Sequence, residues 1–188
     1  MTSTSKKAWI AVAFVALLVL GYGWSSYNSL VSEREAASAQ WQQVEAQYQR
    51  RLDLIPNLVA SVKGAMKQEQ TVFDGIAAAR AAYAGAATPS DKAAAATQVE
   101  SALGRLLAIV ESYPTLKSSD AVQSLMTQLE GTENRVAVER QRYNDDVQAY
   151  ETDIKRFPKS IVASMFGFGD MSHFQAQTGA ENAPQVNL

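Results

Sequence analysis

Apolar residues recur every three or four positions along most of this sequence, and that spacing constrains the fold more than any other feature. The pattern persists from Tyr27 to Phe157. Within it, no long segment alternates apolar and polar residues with the period of two that a half-buried β-strand requires. Breaks that contain glycine or proline divide the pattern into amphipathic segments of helical length. The sequence therefore predicts an all-α protein.

The breaks lie near residues 50–64, 85–91, 112–119 and 158, so they separate four predicted helices. Because each connection is short, sequential helices should pack as antiparallel neighbours. We therefore expect an antiparallel up-down four-helix bundle over residues 25–157. A long two-stranded coiled coil is the alternative, but it requires sustained heptads. Each apolar stripe here lasts only a few turns, which favours the bundle.

An uncharged apolar run from Ala8 to Trp24 precedes the first stripe. Its length is near the lower limit of the roughly 17–25 apolar residues that cross a bilayer as a helix. A cleaved signal peptide has a shorter apolar core and an A-x-A-like exit. The only small-x-small exit here is Gly21-Tyr22-Gly23, and a tryptophan follows it. The run is apolar on all sides, which also disfavours a buried core helix. An uncleaved transmembrane signal anchor over residues 8–24 is the favoured interpretation.

The flanking charges predict the orientation of this anchor. Lys6 and Lys7 immediately precede it, whereas the nearest basic residue downstream is Arg34, between two glutamates. The excess of Lys and Arg on the cytoplasmic side of membrane segments predicts that residues 1–7 form a cytoplasmic stub. The main domain would then lie on the extracytoplasmic side of a single-pass protein.

The stretch RRLDLIPNLVASVKG, residues 50–64, falls between the first and second predicted helices. Pro56 is tolerated in the first turn of a helix but not in its interior. A nearby aspartate could cap the orphan amides of that turn, so a tight helix-to-helix corner accounts for most of the motif. The alternative is a partner-binding site at the membrane-distal tip of the bundle, formed by Arg50, Arg51, Asp53, Asn57 and Lys63.

Charged residues also fall within the predicted apolar stripes. Arg80 lies in the second helix, and Glu133 and Arg140 lie in the fourth. Antiparallel alignment places Arg80 level with Glu133. An unpaired buried charge costs several kcal/mol, so a buried ion network that fixes the register of the helices is the favoured interpretation. A polar ligand site inside the bundle and a solvated face are the alternatives.

The segment 158–174, which lies within the stretch FPKSIVASMFGFGDMSHFQ (157–175), is far more apolar than an ordinary tail. One interpretation is a short amphipathic helix that covers an end of the bundle. In an up-down bundle this segment returns toward the membrane, so the other interpretation is an interfacial segment whose aromatic and basic side chains meet lipid. The predicted membrane-contact residues are Lys159, Phe166, Phe168 and Phe174, and residues 175–188 are small and polar and predicted to be disordered.

Composition excludes several functional classes. The chain has no cysteine and one histidine, His173. Thiol nucleophiles, Cys-ligated metals and multi-histidine sites therefore lack the necessary residues. No Glu-x-x-His motif is present, which argues against a carboxylate-bridged di-metal bundle. A net charge of -2 gives no basic field for nucleic acid. We expect no cofactor and no enzymatic activity.

Several stretches of the chain, in order, resemble the bacterial LemA family. They are YNSLV (27–31), RRLDLIPNLVASVKG (50–64), AAAR (77–80), ESYPTLK (111–117), ENRVAVERQRYNDDVQAYE (133–151) and the FP that begins the Phe-rich segment. The resemblance implies a membrane-anchored α-helical bundle of the bacterial plasma membrane whose molecular activity is not established, with no catalytic residues to carry over. It also implies an outward N-terminus, opposite to the orientation that the two lysines predict.

Anchor, bundle and resemblance together predict a non-enzymatic, membrane-tethered scaffold or adaptor. Its expected partners are the lipid bilayer and one or more envelope proteins. A ligand-sensing bundle with a polar interior site, or an enzyme of unrecognised type, is the alternative.

Overall fold

The computed structural model describes residues 3–66 and 68–174, and all the regular secondary structure in these residues is helical. The all-α prediction is therefore confirmed. The helices, in chain order, are α1 (Ser3–Lys63), α2 (Gln70–Gly85), α3 (Pro89–Glu111), α4 (Pro114–Lys117), α5 (Asp120–Lys155) and α6 (Lys159–Phe166).

Helix α1 runs without interruption through the stretch where the sequence predicted a corner, so that prediction is wrong. Pro56 lies inside the helix and on its exposed side. A proline in a helix interior costs about 3 kcal/mol. The apolar stripe continues past it, because Ile55, Leu58 and Val62 are buried. Each such burial contributes about 1.5–3 kcal/mol, so the buried stripe outweighs the proline and the corner forms only after Lys63.

The remaining helix boundaries follow local chain chemistry. After α1, the amide of Met66 donates to the carbonyl of Val62 at 3.0 Å, and this bond closes the turn. Helix α3 begins at Pro89, with Thr88 as its N-cap. Proline is favoured at the first helical position, and the cap therefore precedes it. The Thr88 hydroxyl oxygen accepts the Asp91 amide at 3.1 Å.

The chain divides into two compact units. The described part of the first unit comprises residues 3–40 and 142–171, which contain the beginning of α1, the end of α5, and α6. Its core is formed by Leu30, Tyr150, Ile154, Val162 and Ala163, with Phe168 and Met171 packed against them.

A glycine closes the short helix of this first unit. Gly167 has a φ of 73°, the left-handed conformation that a C-cap glycine adopts at no steric cost. The amide of Phe168 then reaches back to the carbonyl of Ala163 at 2.9 Å. The Tyr150 hydroxyl donates to the carbonyl of Gly169 at 3.0 Å, which holds the chain after α6 against α5.

The described part of the second unit comprises residues 41–66, 68–141 and 172–174. Helices α2 and α3 pack directly against each other. Tyr48 of α1 lies against Tyr83 of α2, with ring centroids 5.7 Å apart. The buried side chains of α3 are Ala95, Ala96, Val99, Leu103, Leu106 and Val110, and those of α5 in this unit include Val122, Leu129 and Val136.

Within residues 3–66 and 68–174, two helices, α1 and α3, are long and apolar enough to cross a membrane by length and composition alone. In α1 the most apolar window of 18 residues has no buried side chain, whereas in α3 a third of the window is buried. Helix α3 also carries Lys92, Glu100 and Arg105 and packs on α2. The N-terminal run of α1 is therefore the candidate membrane segment, and α3 is a core helix of the second unit.

Candidate functional site

A cluster of charged and polar side chains joins three helices of the second unit. We call it the ion cluster, and it consists of Tyr48 and Arg51 of α1, Glu100 of α3, and Glu133 and Arg140 of α5. Glu100 Oε1 accepts a hydrogen bond from the Tyr48 hydroxyl at 3.0 Å. The same oxygen lies 3.8 Å from Arg51 Nη1 and 3.7 Å from Arg140 Nη1. Glu100 is therefore the centre of the cluster.

Arg51 is the most enclosed charge of the ion cluster, with a side chain 7% exposed. It forms ion pairs with both Glu100 and Glu133. Two arginines and two glutamates balance, so the cluster carries no net charge. Burial raises the pKa of Tyr48 far above its ordinary value, and the neighbouring Glu100 carboxylate acts in the same direction. The Tyr48 hydroxyl therefore stays protonated and donates to Glu100.

The structure separates Arg80 from the two residues with which the sequence grouped it. Glu133 pairs with Arg51 instead, and Arg140 lies beside Glu100. The predicted network of Arg80, Glu133 and Arg140 is therefore wrong in its membership. The axial alignment predicted a height along the bundle, but it did not predict which helix each side chain faces.

Arg80 instead lines an open pocket of about 380 Å³ in the second unit. Its Nε is buried and has no hydrogen-bond partner. Lys92, also in the wall, forms an ion pair with Glu45. The other lining residues are Gln49, Leu52, Tyr83, Ala84 and Ala86.

The five residues predicted to form a partner-binding tip lie along one helix, α1. Arg51 points inward and is buried, so its prediction as an exposed tip residue is wrong. Arg50, Asp53 and Asn57 are exposed. Their spacing of three and four places them on one helical face. We call Arg50, Asp53 and Asn57 the polar ridge.

Lys63 is exposed in the last turn of α1, where a cation suits the helix C-terminus. By helical spacing it lies to one side of the polar ridge.

The four predicted membrane-contact residues have different surroundings. In the first unit Phe166 is 58% exposed, and its ring centroid lies 4.9 Å from that of Tyr27. Phe168 is half-buried, and its ring centroid is 5.6 Å from that of Tyr27. In the second unit Phe174 is buried and stacks on Trp41 at 5.2 Å, and Arg140 lies 4.8 Å from its ring centroid. The prediction of lipid contact is therefore wrong for Phe174.

Lys159, which the sequence predicted at the membrane surface, is held in a polar network of the first unit. Its Nζ donates to Ser29 Oγ at 3.0 Å and to Glu33 Oε1 at 3.3 Å, and it pairs with Asp153. Desolvation lowers the pKa of Lys159, but the hydrogen bonds to Asp153 and Glu33 outweigh it and raise the pKa. The hydrogen bond from Lys159 in turn holds the pKa of Asp153 below its ordinary value.

The sequence contains a signal for Glu100, although Glu100 is not among the predicted site residues. Glu100 follows Ala96 by four positions and precedes Leu103 by three, and both are buried. That spacing places Glu100 on the buried face of α3. Arg51 had a similar signal, since it lies three residues after Tyr48 on a continuous α1. That signal becomes readable only once the supposed corner is removed.

The geometry of the ion cluster is that of a polar contact inside a helical core.

In residues 3–66 and 68–174 no group of three or more His, Cys, Asp or Glu side chains could hold a metal ion. The predicted disordered tail, residues 175–188, lies outside the described residues. Fold and cluster together define a helical protein with an exposed apolar N-terminal helix and a charge-balanced ion cluster.

The chain belongs to the LemA family, whose model matches residues 40–188. Among curated proteins it is similar to magnetosome proteins MamQ 1 and MamQ 2 of Paramagnetospirillum magneticum. Each is 29% identical to it over 90% of this chain and 70% of the relative. Magnetosome protein MamQ of Magnetospirillum gryphiswaldense is 28% identical over 93% of this chain and 73% of the relative.

Proposed function

We propose that this protein is a membrane-tethered, non-enzymatic scaffold or adaptor that presents a helical surface to envelope proteins. One observation carries the proposal: a single helix, α1, joins an exposed apolar run to residues that are packed in the helical core. The run acts as an uncleaved signal anchor in the bacterial plasma membrane. The names of the MamQ relatives state a location and no reaction, which is compatible with a non-enzymatic role.

We infer that α1, α2, α3 and α5 of the second unit form an up-down four-helix bundle. Contacts at successive positions support the directions of the helices. Along α1, Tyr48 lies beside Glu100, which contacts Arg140, and Arg51 pairs with Glu133. The residue numbers rise along α1 while they fall along α5, as antiparallel helices require.

The polar ridge is the surface that we propose for a protein partner. Arg50, Asp53 and Asn57 are exposed, and Gln49 Nε2 donates to Asp53 Oδ1 at 2.8 Å. A ridge that carries both charges on a rigid helix suits a partner helix of complementary charge. Arg51 beneath it is engaged in the ion cluster and contributes rigidity rather than contact.

Site-specific photo-crosslinking in living cells tests this proposal. A photoreactive amino acid at Asn57 should form an adduct with an envelope protein, and the reversal Arg50→Glu should reduce its yield several-fold. The matched control is Arg135→Glu, which reverses an exposed arginine of α5 and should leave the yield unchanged.

Two results would refute the proposal that the polar ridge binds an envelope protein. Equal loss of the adduct with Arg50→Glu and Arg135→Glu would indicate a general charge effect. Adducts only with lipid or with a second copy of the chain would refute the role as an adaptor for other proteins.

The pocket beside Arg80 supports a second candidate function, the sensing of a small anion. A buried guanidinium nitrogen without a partner is costly, and a bound carboxylate or phosphate would satisfy it. Thermal unfolding of the full chain in phosphate, compared with chloride at equal ionic strength, tests this. A rise in the melting temperature that Arg80→Gln abolishes supports the candidate, and an equal rise in both proteins refutes it.

A further inference from the structure

The short helix α6 has an apolar face that is largely exposed within its unit. Ile161 and Met165, four positions apart, are 53% and 72% exposed. Phe157, just before the helix, is 75% exposed, and Phe166 at its end is 58% exposed. Val162 on the other side of α6 is packed in the core of the first unit. The helix is therefore apolar on both its buried and its open sides.

Two contacts place α6 at a defined height along α1. At its C-terminal end, Phe166 packs edge-on against Tyr27. At its N-terminal end, Lys159 donates to Ser29. With a rise of 1.5 Å per residue, Tyr27 lies about 4.5 Å and Ser29 about 7.5 Å beyond Trp24, where the apolar run ends.

This height coincides with the headgroup layer of the bilayer that α1 would cross. A bilayer has a hydrocarbon core of about 30 Å and a full thickness of about 40–45 Å, so each headgroup layer is roughly 5–8 Å deep. Both ends of α6 fall within that distance of the apolar run. Tyr22 and Trp24, at the end of the apolar run, are 45% and 76% exposed, and amphipathic rings of this kind favour the interface.

We propose that α6 is an interfacial helix, with Phe157, Ile161 and Met165 inserted into the headgroup and upper acyl region of the bilayer. The inference rests on the membrane anchor of the proposed function. A lipid surface is the occupant because the apolar face lies at bilayer height and beside the anchor. A fluid lipid surface can cover a convex helix of two turns without any shape complementarity. Arg156, exposed just before Phe157, lies where an anionic phosphate group would meet it.

The absence of cysteine from the chain allows a clean test. Ile161→Cys, Met165→Cys and Gln148→Cys are each labelled with an environment-sensitive fluorophore in the otherwise native full chain. The labelled proteins are reconstituted into vesicles of phosphatidylcholine and phosphatidylglycerol. Gln148 is the matched control, because it is exposed on α5 of the same unit and lies seven residues before Lys155. That spacing is about 10 Å along the helix.

Lipids with a nitroxide near the headgroup should quench the labels at positions 161 and 165 several-fold more than the label at position 148. The emission of the first two labels should also be shifted to the blue. Equal quenching and equal accessibility to aqueous iodide at all three positions would overturn the inference. Protection from iodide without lipid quenching, increasing with the protein-to-lipid ratio, would overturn it in favour of a second copy of the chain.

A fourth label separates this inference from the anchor itself. Leu17→Cys lies within the apolar run and should be quenched by lipids with a nitroxide deep in the acyl chain. Quenching at position 17 without quenching at 161 and 165 would leave the anchor intact and refute only the interfacial helix. No quenching at position 17 would refute both.

Discussion

At the scale of single residues, one carboxylate oxygen organises the interior of the second unit. Glu100 Oε1 accepts a hydrogen bond from the Tyr48 hydroxyl and lies near Arg51 and Arg140. A buried arginine that loses its counter-charge keeps its desolvation cost without compensation. The ion cluster therefore contributes specificity of alignment more than net stability, because any shift of α1, α3 or α5 by one turn would separate the charges.

The substitution Glu100→Gln should destabilise the protein by about 2–3 kcal/mol, since it leaves Arg51 with the half-exposed Glu133 as its main partner. Urea unfolding of the full chain in detergent, followed by circular dichroism, measures the loss. The control is Glu130→Gln on the exposed side of α5, which should change stability by less than about 0.5 kcal/mol. Equal effects of the two substitutions would contradict the central role of Glu100.

Tyr83, which lines the pocket, makes the folding stability of the protein depend on pH in the alkaline range. Burial, with a smaller contribution from the Glu45 carboxylate, raises the pKa of Tyr83 to about 12 from an ordinary value of 10.0. The unfolded chain therefore loses this proton at a lower pH than the folded chain. The stability that Tyr83 contributes is fully present below pH 10.0 and is lost as the pH rises toward 12.

Tyr83→Phe should remove that part of the alkaline loss. Between pH 10 and 12 the variant should lose roughly 1–2 kcal/mol less unfolding free energy than the native chain. Urea unfolding at several pH values measures the difference. The partly exposed Tyr113, replaced by Phe in the same way, is the control. Parallel stability curves for the native chain and Tyr83→Phe would show that the Tyr83 proton is not linked to folding.

At the scale of helices, the sequence predicted the boundaries of α3 and α5 well, because proline and helix-capping residues mark their ends. It did not predict the continuity of α1. Pro56 and Asp53 are the residues that a helix N-terminus prefers, so local chemistry favoured a corner there. The buried stripe through Ile55 and Leu58 outweighs this preference, and the true break occurs at Gly64, where the local signal is weaker.

The same error explains the incomplete prediction of the ion cluster. A corner over residues 50–64 makes Arg51 a residue of the connection rather than a member of the core. Height along the bundle is then the only basis for pairing Glu133 with Arg80. Height follows from loop positions, which the sequence marks, whereas the identity of the facing helix follows from packing of side chains across the bundle. The spacing of apolar residues along one helix does not indicate which other helix its side chains will contact.

Replacing Pro56 tests the continuity of α1 directly. In a helix interior, Pro56→Ala restores a hydrogen bond, and the gain of about 3 kcal/mol is reduced by the greater entropy of the unfolded chain. We expect a net stabilisation of about 1–2 kcal/mol. Pro89→Ala is the matched control, because Pro89 is the first residue of α3, where proline fits. It should give no stabilisation.

Urea midpoints of the two variants in detergent give the comparison. A stabilised Pro56→Ala with an unchanged Pro89→Ala would match a continuous helix. If neither substitution stabilises the protein, Pro56 lies in a first turn, as the sequence pattern suggested, and α1 ends before it.

At the scale of the whole molecule, the side of the membrane that holds the helical body decides which partners it can meet. The apolar run of α1 has charged neighbours only at its start, where Lys6 and Lys7 precede it. Short flanking segments with Lys or Arg are retained in the cytoplasm. The helical body that follows the run would then face the extracytoplasmic space, which is the orientation that we predict for this member of the LemA family.

Single cysteine substitutions allow a decisive test of this orientation, because the native chain has no cysteine. A membrane-impermeant thiol reagent added to intact cells should label Ser118→Cys, which is exposed after α4, and should leave Ser5→Cys unlabelled until the cells are lysed. The double reversal Lys6→Glu and Lys7→Glu should shift part of the population to the opposite pattern, since the charge bias then disappears. Labelling of Ser5→Cys but not Ser118→Cys in the native background would mean that two lysines are too weak to orient the anchor. The partners of the polar ridge would then have to be sought in the cytoplasm.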